Sequence, residues 1–226
     1  MCGRFTLTTP AEEWSELFEV EPLEAEPRYN IAPTENVIVV RPAKPGLREA
    51  VRMRWGLIPS WTEDADDIPL LINARCETVG EKPSFKDSFR ERRCLVVADG
   101  FYEWRNDGNE KRPYWIHLAA GGPFGFAAIW DVWESEDGPI ESVAILTTDA
   151  TEDIAPIHDR MPGVLDHHQV KRWLDPRAGP SELGSLVGNP EPGRLALREV
   201  SNRVNSVKVD DPECLAPVGT QVDLFS

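Results

Sequence analysis

The stretch from Cys94 to Thr147 constrains the fold more than any other part of the chain. Cys94–Ala98, Gly100–Arg105, Pro113–Leu118, Phe124–Trp130 and Ser142–Thr147 are short runs rich in β-branched and aromatic residues, and each reads as a strand. Asn106-Asp107-Gly108-Asn109, between the second and third runs, has the composition of a hairpin turn. Strands this closely spaced leave no room for the crossover helices that a parallel sheet needs, so an antiparallel, curled sheet is expected.

Helices are expected around that sheet. Thr9-Pro10-Ala11-Glu12 reads as a capping box with proline at the first helical position, and Trp14, Leu17 and Phe18 give the apolar face that follows. Phe85 and Phe89 share a face of a short helix after Pro83 that ends in Arg90-Glu91-Arg92-Arg93. Further helices are expected to start near Asp166 and Ser181. Extended segments are expected at Asn36–Val40, Val51–Trp55 and Ile68–Asn73, then at Leu195–Val200 and Val204–Val207. The 226 residues then form a single α+β domain over residues 1–209, with a loose tail over 210–226.

With 41% hydrophobic and 28% charged residues the chain has the means to build a core, which excludes a disordered or fibrous protein. The longest apolar run, Cys94-Leu95-Val96-Val97-Ala98, falls far short of a membrane-spanning helix. Met1-Cys2-Gly3-Arg4-Phe5-Thr6 lacks the basic-then-apolar order of a secretory signal, so a cytoplasmic location is expected. Cys2, Cys76, Cys94 and Cys214 lie far apart with no C-x-x-C pair, a pattern that predicts neither a disulfide framework nor a bound metal. No cofactor motif stands out. Cys94, inside its apolar run, reads as a buried hydrophobe.

Net charge is −15, with acidic runs at Glu63-Asp64-Ala65-Asp66-Asp67 and Glu134-Ser135-Glu136-Asp137. Lysine is found only at 44, 82, 86, 111, 171 and 208, so arginine supplies most of the 24 basic residues. That bias suits a halophilic, high-salt cytoplasm. Such a charge argues against a polyanionic partner in dilute buffer. The objection weakens near 1 M salt, where the screening length falls to about 3 Å.

Cys2 is the most informative residue. Removal of Met1 would leave an α-amine and a thiol on adjacent carbons. An amine with a reference pKa of about 7.7–8.0 attacks an aldehyde to give an imine, and the thiol can close on the same carbon as a five-membered thiazolidine. The bland alternative is a Cys2 that merely packs. Gly3 permits close approach of a ligand, and Arg4 can meet a phosphate.

Asn73-Ala74-Arg75-Cys76-Glu77-Thr78 would place Asn73, Arg75 and Glu77 on one face of a continuing strand. Glu103, among Phe101, Tyr102 and Trp104, is either a general acid/base raised by its apolar setting or a strand residue facing water. His158, beside Asp159 and Arg160 in a loop closed by Pro162, is a proton-shuttle candidate or an ordinary surface histidine. Arg28-Tyr29-Asn30-Ile31-Ala32-Pro33 and Arg54-Trp55-Gly56-Leu57-Ile58-Pro59-Ser60-Trp61 mix arginine with aromatics, as grooves for single-stranded nucleic acid do. Trp55 reads as core and Trp61 as exposed.

Together, Met1-Cys2-Gly3-Arg4-Phe5, Arg28–Pro33, Arg54–Pro59, Asn73–Thr78, Ala98–Trp104 and His158–Pro162 resemble, in order, the motifs of the SOS response-associated peptidase (SRAP) family. The resemblance runs from Cys2 to the Val204-Asn205-Ser206-Val207 segment. It implies curled sheets in a barrel-like arrangement, a monomer that binds single-stranded DNA, and covalent capture of a ring-opened abasic sugar. It also implies self-processing peptidase activity that removes Met1. By motif position, Cys2 resembles the crosslinking nucleophile, Asn73 the residue that orients it, Glu103 the acid/base and His158 the proton donor or acceptor on the sugar. Arg4, Asn30, Arg75 and Arg160 resemble contacts to the DNA backbone, with Pro33 and Trp61 near the bases. The competing class is a cysteine amino-terminal-nucleophile amidohydrolase, which explains Cys2 but not the Asn73, Glu103 and His158 blocks. A non-catalytic adaptor for damaged DNA would leave a mature Cys2 unexplained.

Overall fold

The computed structural model describes residues 2–44, 46–108, 110–187 and 193–218. In chain order the elements are β1 (Phe5–Leu7), α1 (Ala11–Phe18), β2 (Arg28–Ile31), β3 (Asn36–Lys44), β4 (Leu47–Trp55) and β5 (Asn73–Arg75). There follow α2 (Lys86–Glu91), β6 (Arg93–Ala98), β7 (Gly100–Asp107), β8 (Glu110–Leu118), β9 (Phe124–Ser135) and β10 (Gly138–Asp149). The last are β11 (Arg160–Pro162), β12 (Val164–Leu165), α3 (His167–Trp173), α4 (Pro180–Leu186) and β13 (Leu195–Glu199). Among the described residues no helix is long and apolar enough to cross a membrane.

The strands form two sheets. One has the order β13-β8-β7-β1-β2 with every neighbour antiparallel. The other runs β11-β10-β4-β3-β6-β9-β12, and an additional β9–β10 pairing closes β10, β4, β3, β6 and β9 into a five-stranded barrel. The long β9–β10 hairpin, in register from Gly138–Ser135 to Ile145–Ala128, makes that closure. The mostly antiparallel, barrel-like architecture is the one expected, with one refinement: β10 lies parallel to both β4 and β5. Closure removes the open edges that a five-stranded sheet would otherwise present.

An aromatic chain joins the two sheets. Phe5 of β1 meets Trp55 at 5.1 Å and Phe126 at 5.8 Å, and Phe126 meets Phe101 at 6.0 Å, all tilted edge to face. The helices cover the outside of the barrel. Trp173 of α3 donates from its indole N–H to Cys94 O at 2.9 Å and packs against Phe89 of α2. A second, smaller cluster of Tyr102, Val200, Val204 and Cys214 lies on the other face of the first sheet.

Several expectations change. Pro10, not Thr9, is the N-cap of α1, and no side chain caps it, because Thr9 is bonded to Asp99 instead. Ile68–Asn73 is not a strand. A 3₁₀ turn occupies Ala65–Asp67, Leu71 makes one isolated bridge to Leu57, and the strand begins only at Asn73. Val204–Val207 is not a strand either, since Asn202–Asn205 forms a 3₁₀ turn. Asp210, expected to open a loose tail, accepts from the backbone N–H of Tyr29 and Asn30 and pairs with Arg28, and Pro212–Leu215 is a 3₁₀ turn with Cys214 buried. The last helix begins at Pro180. In the expected turn, Gly108 adopts the left-handed region (φ +66°), while Asn109 and residues 219–226 lie outside the described residues.

Candidate functional site

Cys2 is placed by what holds β1. The buried Asp99 carboxylate accepts from Thr6 Oγ1 at 2.5 Å, from Thr8 N and Oγ1 at 2.6 and 2.7 Å, and from Thr9 N and Oγ1 at 2.8 and 3.0 Å. Five donors on one carboxylate fix the register of the strand. The following residue has to be glycine, because a Cβ at Gly100 would lie 2.1 Å from Trp115 Nε1, and that indole N–H donates to Thr6 Oγ1. Cys2, three residues before β1, is thereby fully buried.

From the other sheet, β5 brings Asn73 to the same place. Its backbone pairs in parallel with Ile145, and Trp55 Nε1 donates to the preceding carbonyl of Ile72. Asn73 Nδ2 donates to Cys2 O at 2.8 Å. Its Oδ1 is buried and lacks a hydrogen-bond partner among the described residues. The remaining two candidates complete the ring. Glu103 on β7 is buried, and burial raises its carboxyl above the ordinary glutamate value. Burial and then the nearby Glu103 carboxylate push the Cys2 thiol upward, so it is held as a neutral thiol.

His158, in the loop before β11, lines a pocket of about 400 Å³ with Glu103, Trp104, Asn106, Lys111 and Asn205. Three neighbouring groups make opposing demands on its Nδ1. The Arg160 N–H donates to it at 2.9 Å, whereas the Asp159 carboxylate at 3.0 Å would favour a proton there. The Arg160 carbonyl, 3.2 Å from the same Nδ1, sides with Asp159, so the tautomer is set by the balance between these two acceptors and the Arg160 amide. Cys2, Asn73, Glu103 and His158 thus converge from the segment before β1, from β5 and β7, and from the β10–β11 connection.

The expected DNA contacts divide into two sets. Trp61 is exposed, at the tip of a turn closed by Thr62 N to Pro59 O and pinned by Ser60 N to Asp131 and Trp133 Nε1 to Thr62 O. Arg75 is exposed and Pro33 half-buried. Arg4, Asn30 and Arg160 are engaged inside the protein. Arg4 Nη1 donates to Asn30 Oδ1 and Val204 O, and Asn30 Nδ2 lies within reach of the carbonyls of Val204, Ser206 and Val209. Arg160 forms a bidentate pair with Glu77 and also bonds Asp149 and Thr147 O. Asn73, Arg75 and Glu77 therefore do not share one face: β5 ends at Arg75 and Glu77 turns away to Arg160.

Sequence reasoning missed the cradle of Thr6, Thr8, Thr9 and Asp99. Three threonines in four residues was the available signal. It also missed Lys111 and Asn205 in the pocket wall, for which no local signal existed.

The model of the family described as SOS response associated peptidase (SRAP) matches residues 1–207. The chain belongs to the SRAP family. The abasic site processing protein YoaM of Bacillus subtilis is 36% identical over 95% of this chain and 97% of its own length. The abasic site processing protein YedK of Escherichia coli is 31% identical over 96% of this chain and all of its own. A crystal structure of a protein from Bacteroides thetaiotaomicron, 25% identical, superposes with a TM-score of 0.85 over 95% of this chain and 98% of that one.

Proposed function

We propose that this SRAP protein processes abasic sites in single-stranded DNA by covalent capture on Cys2 after Met1 has been removed by self-cleavage. The observation that carries the reading is the Asn73 amide: its Nδ2 holds the Cys2 carbonyl while its buried Oδ1 has no partner among the described residues. A free α-amine on Cys2 supplies the N–H that this oxygen lacks.

The α-amine adds to the aldehyde carbon of the ring-opened sugar. Glu103, held protonated more readily by burial, donates to the carbinolamine hydroxyl, which leaves as water and gives the iminium ion. The Glu103 carboxylate then takes the Cys2 thiol proton as sulfur attacks the iminium carbon, which restores the carboxyl and leaves the ring nitrogen neutral with its one N–H. One C–N and one C–S bond form, the aldehyde oxygen departs as water, and no oxidant is needed. His158 acts as proton donor or acceptor on the sugar. Trp61 and Arg75 offer a stacking surface and a cation to the strand. Binding as a monomer in the cytoplasm, without a cofactor, completes the reading, and membership of the SRAP family favours it over the amidohydrolase alternative.

Intact-mass measurement before and after incubation with an abasic single-stranded oligonucleotide tests this. Loss of Met1 and a heat-stable adduct are expected. Cys2→Ser should give only an imine that borohydride traps. Retained Met1 in crosslinking material, or equally stable adducts from both proteins, overturns the mechanism.

A further inference from the structure

The pocket that holds Glu103 and His158 extends outward along the β7–β8 hairpin. β1 is in register with β7 at Thr6–Gly100 and Phe5–Phe101, and its last link is Tyr102 N–H to Arg4 O. Beyond that point the hairpin runs on, with Asn106 directly opposite Lys111. Of the arginines here, Arg105 pairs with Asp107, and Arg112 lies near Asp107, Glu110 and Glu199. Lys111 is exposed and forms no ion pair among the described residues. It is one of only six lysines in a chain of net charge −15.

The opposite wall comes from the segment after β13. Trp104 Nε1 donates to Asn205 Oδ1 at 2.7 Å, which fixes the amide so that Nδ2 is its donor side; one N–H reaches Asn202 Oδ1 at 3.5 Å and the second is left to donate. Arg4 and Asn30 hold this segment in place through the Val204, Ser206 and Val209 carbonyls. The outer pocket therefore joins an ammonium and an amide donor next to the proposed chemistry, and that pairing complements a phosphate oxygen.

We propose that the outer half of this pocket is a phosphodiester subsite, in which Lys111 and Asn205 hold the phosphate next to the abasic residue. The proposal rests on the abasic-site reading above. Arg4 and Asn30 are then positioning residues: they keep Asn205 in the wall rather than meeting the DNA themselves.

Lys111→Met keeps the side-chain stem and removes the charge, and Lys111→Arg restores a cation. Crosslinking rates are measured with an abasic oligonucleotide and with free 2-deoxyribose, an aldehyde sugar without phosphate, and binding of undamaged single-stranded DNA is followed from dilute to molar potassium chloride. For Lys111→Met the ratio of oligonucleotide to deoxyribose rates is expected to fall roughly 3–10-fold, and the slope of log affinity against log salt to flatten by about 0.7. Lys111→Arg should recover most of the ratio, and Asn205→Asp, which faces the phosphate with a carboxylate, should lose more than Lys111→Met. An unchanged ratio and slope in Lys111→Met overturn the subsite. If the wild-type protein reacts with neither substrate, the abasic-site reading fails, and the salt slope on undamaged DNA still decides the phosphate contact.

Discussion

The two hydrophobic clusters differ in what holds them. The large one fills the barrel and its junction with the first sheet, with Phe5, Trp55, Phe101 and Phe126 touching edge to face. The small one, Tyr102, Val200, Val204 and Cys214, is fastened mainly by polar clasps: Arg4 and Asn30 to the 204–209 carbonyls, Tyr102 Oη to Tyr29 O, and Arg28 and the β2 amides to Asp210. Apolar burial supports the scaffold. Directional bonds shape the wall of the pocket, because a hydrogen bond fixes geometry where apolar contact fixes only proximity.

Truncation tests that division most severely. Phe126→Ala should cost about 3–5 kcal/mol, read as an earlier, still cooperative urea transition for the whole protein. A loss under 1 kcal/mol would mean the aromatic junction is not what joins the sheets. Asn30→Ala should cost about 1–3 kcal/mol, since it leaves buried carbonyls without a donor. Amide exchange is the sharper readout: protection at Val204 and Val209 should fall while that of Leu95 and Ile129 persists. Uniform loss of protection would erase the distinction between the clusters.

Glu103 lies between the two regions, and its effect is smaller. A carboxyl raised by burial binds its proton more tightly folded than unfolded, so its contribution is most favourable below the ordinary glutamate range of about 4.3 and declines as pH rises through the folded value. Glu103→Gln should therefore raise Tm at pH 8 but not at pH 4, by calorimetry. An equal change at both pH values would show that Glu103 is not desolvated. The smallest effect is that of salt. Potassium chloride should raise the global Tm by screening the exposed acidic runs, while exchange protection near Asp210 and Asp211 falls as their pairs with Arg28 and Arg203 are screened. A global Tm that drops steadily with salt would remove the high-salt interpretation of the composition.

How legible these features are depends on range. Cys94–Ala98 and the hairpin after Gly100 announce themselves through short apolar and aromatic runs bounded by turn residues, as the α3 start at Asp166 does through a capping box with Gln169. Closure of the barrel does not, because nothing in β10 signals that it pairs in parallel with β4 and β5. Thr9 satisfies every local rule for a cap and is claimed by Asp99, ninety residues away. Val204–Val207 alternates like a strand, yet Asn30 and Arg4 take up its carbonyls. Arg160 has the composition of a phosphate contact and finds Glu77 and Asp149 first. Cys2, Asn73, Glu103 and His158 each admit an ordinary reading alone, and only the ordered motifs of the resemblance single them out together. Lys111 and Asn205 are ordinary residues made notable only by placement.

The location of β1 has a mechanical side. It lies between β7 and β2, hydrogen-bonded on both flanks, and Asp99 grips it from Thr6 to Thr9. A pull applied along the strand axis would load both ladders in shear, so that they share the force instead of opening one bond after another. An adduct formed on Cys2 as proposed would be moored to this doubly paired strand and its Asp99 cradle.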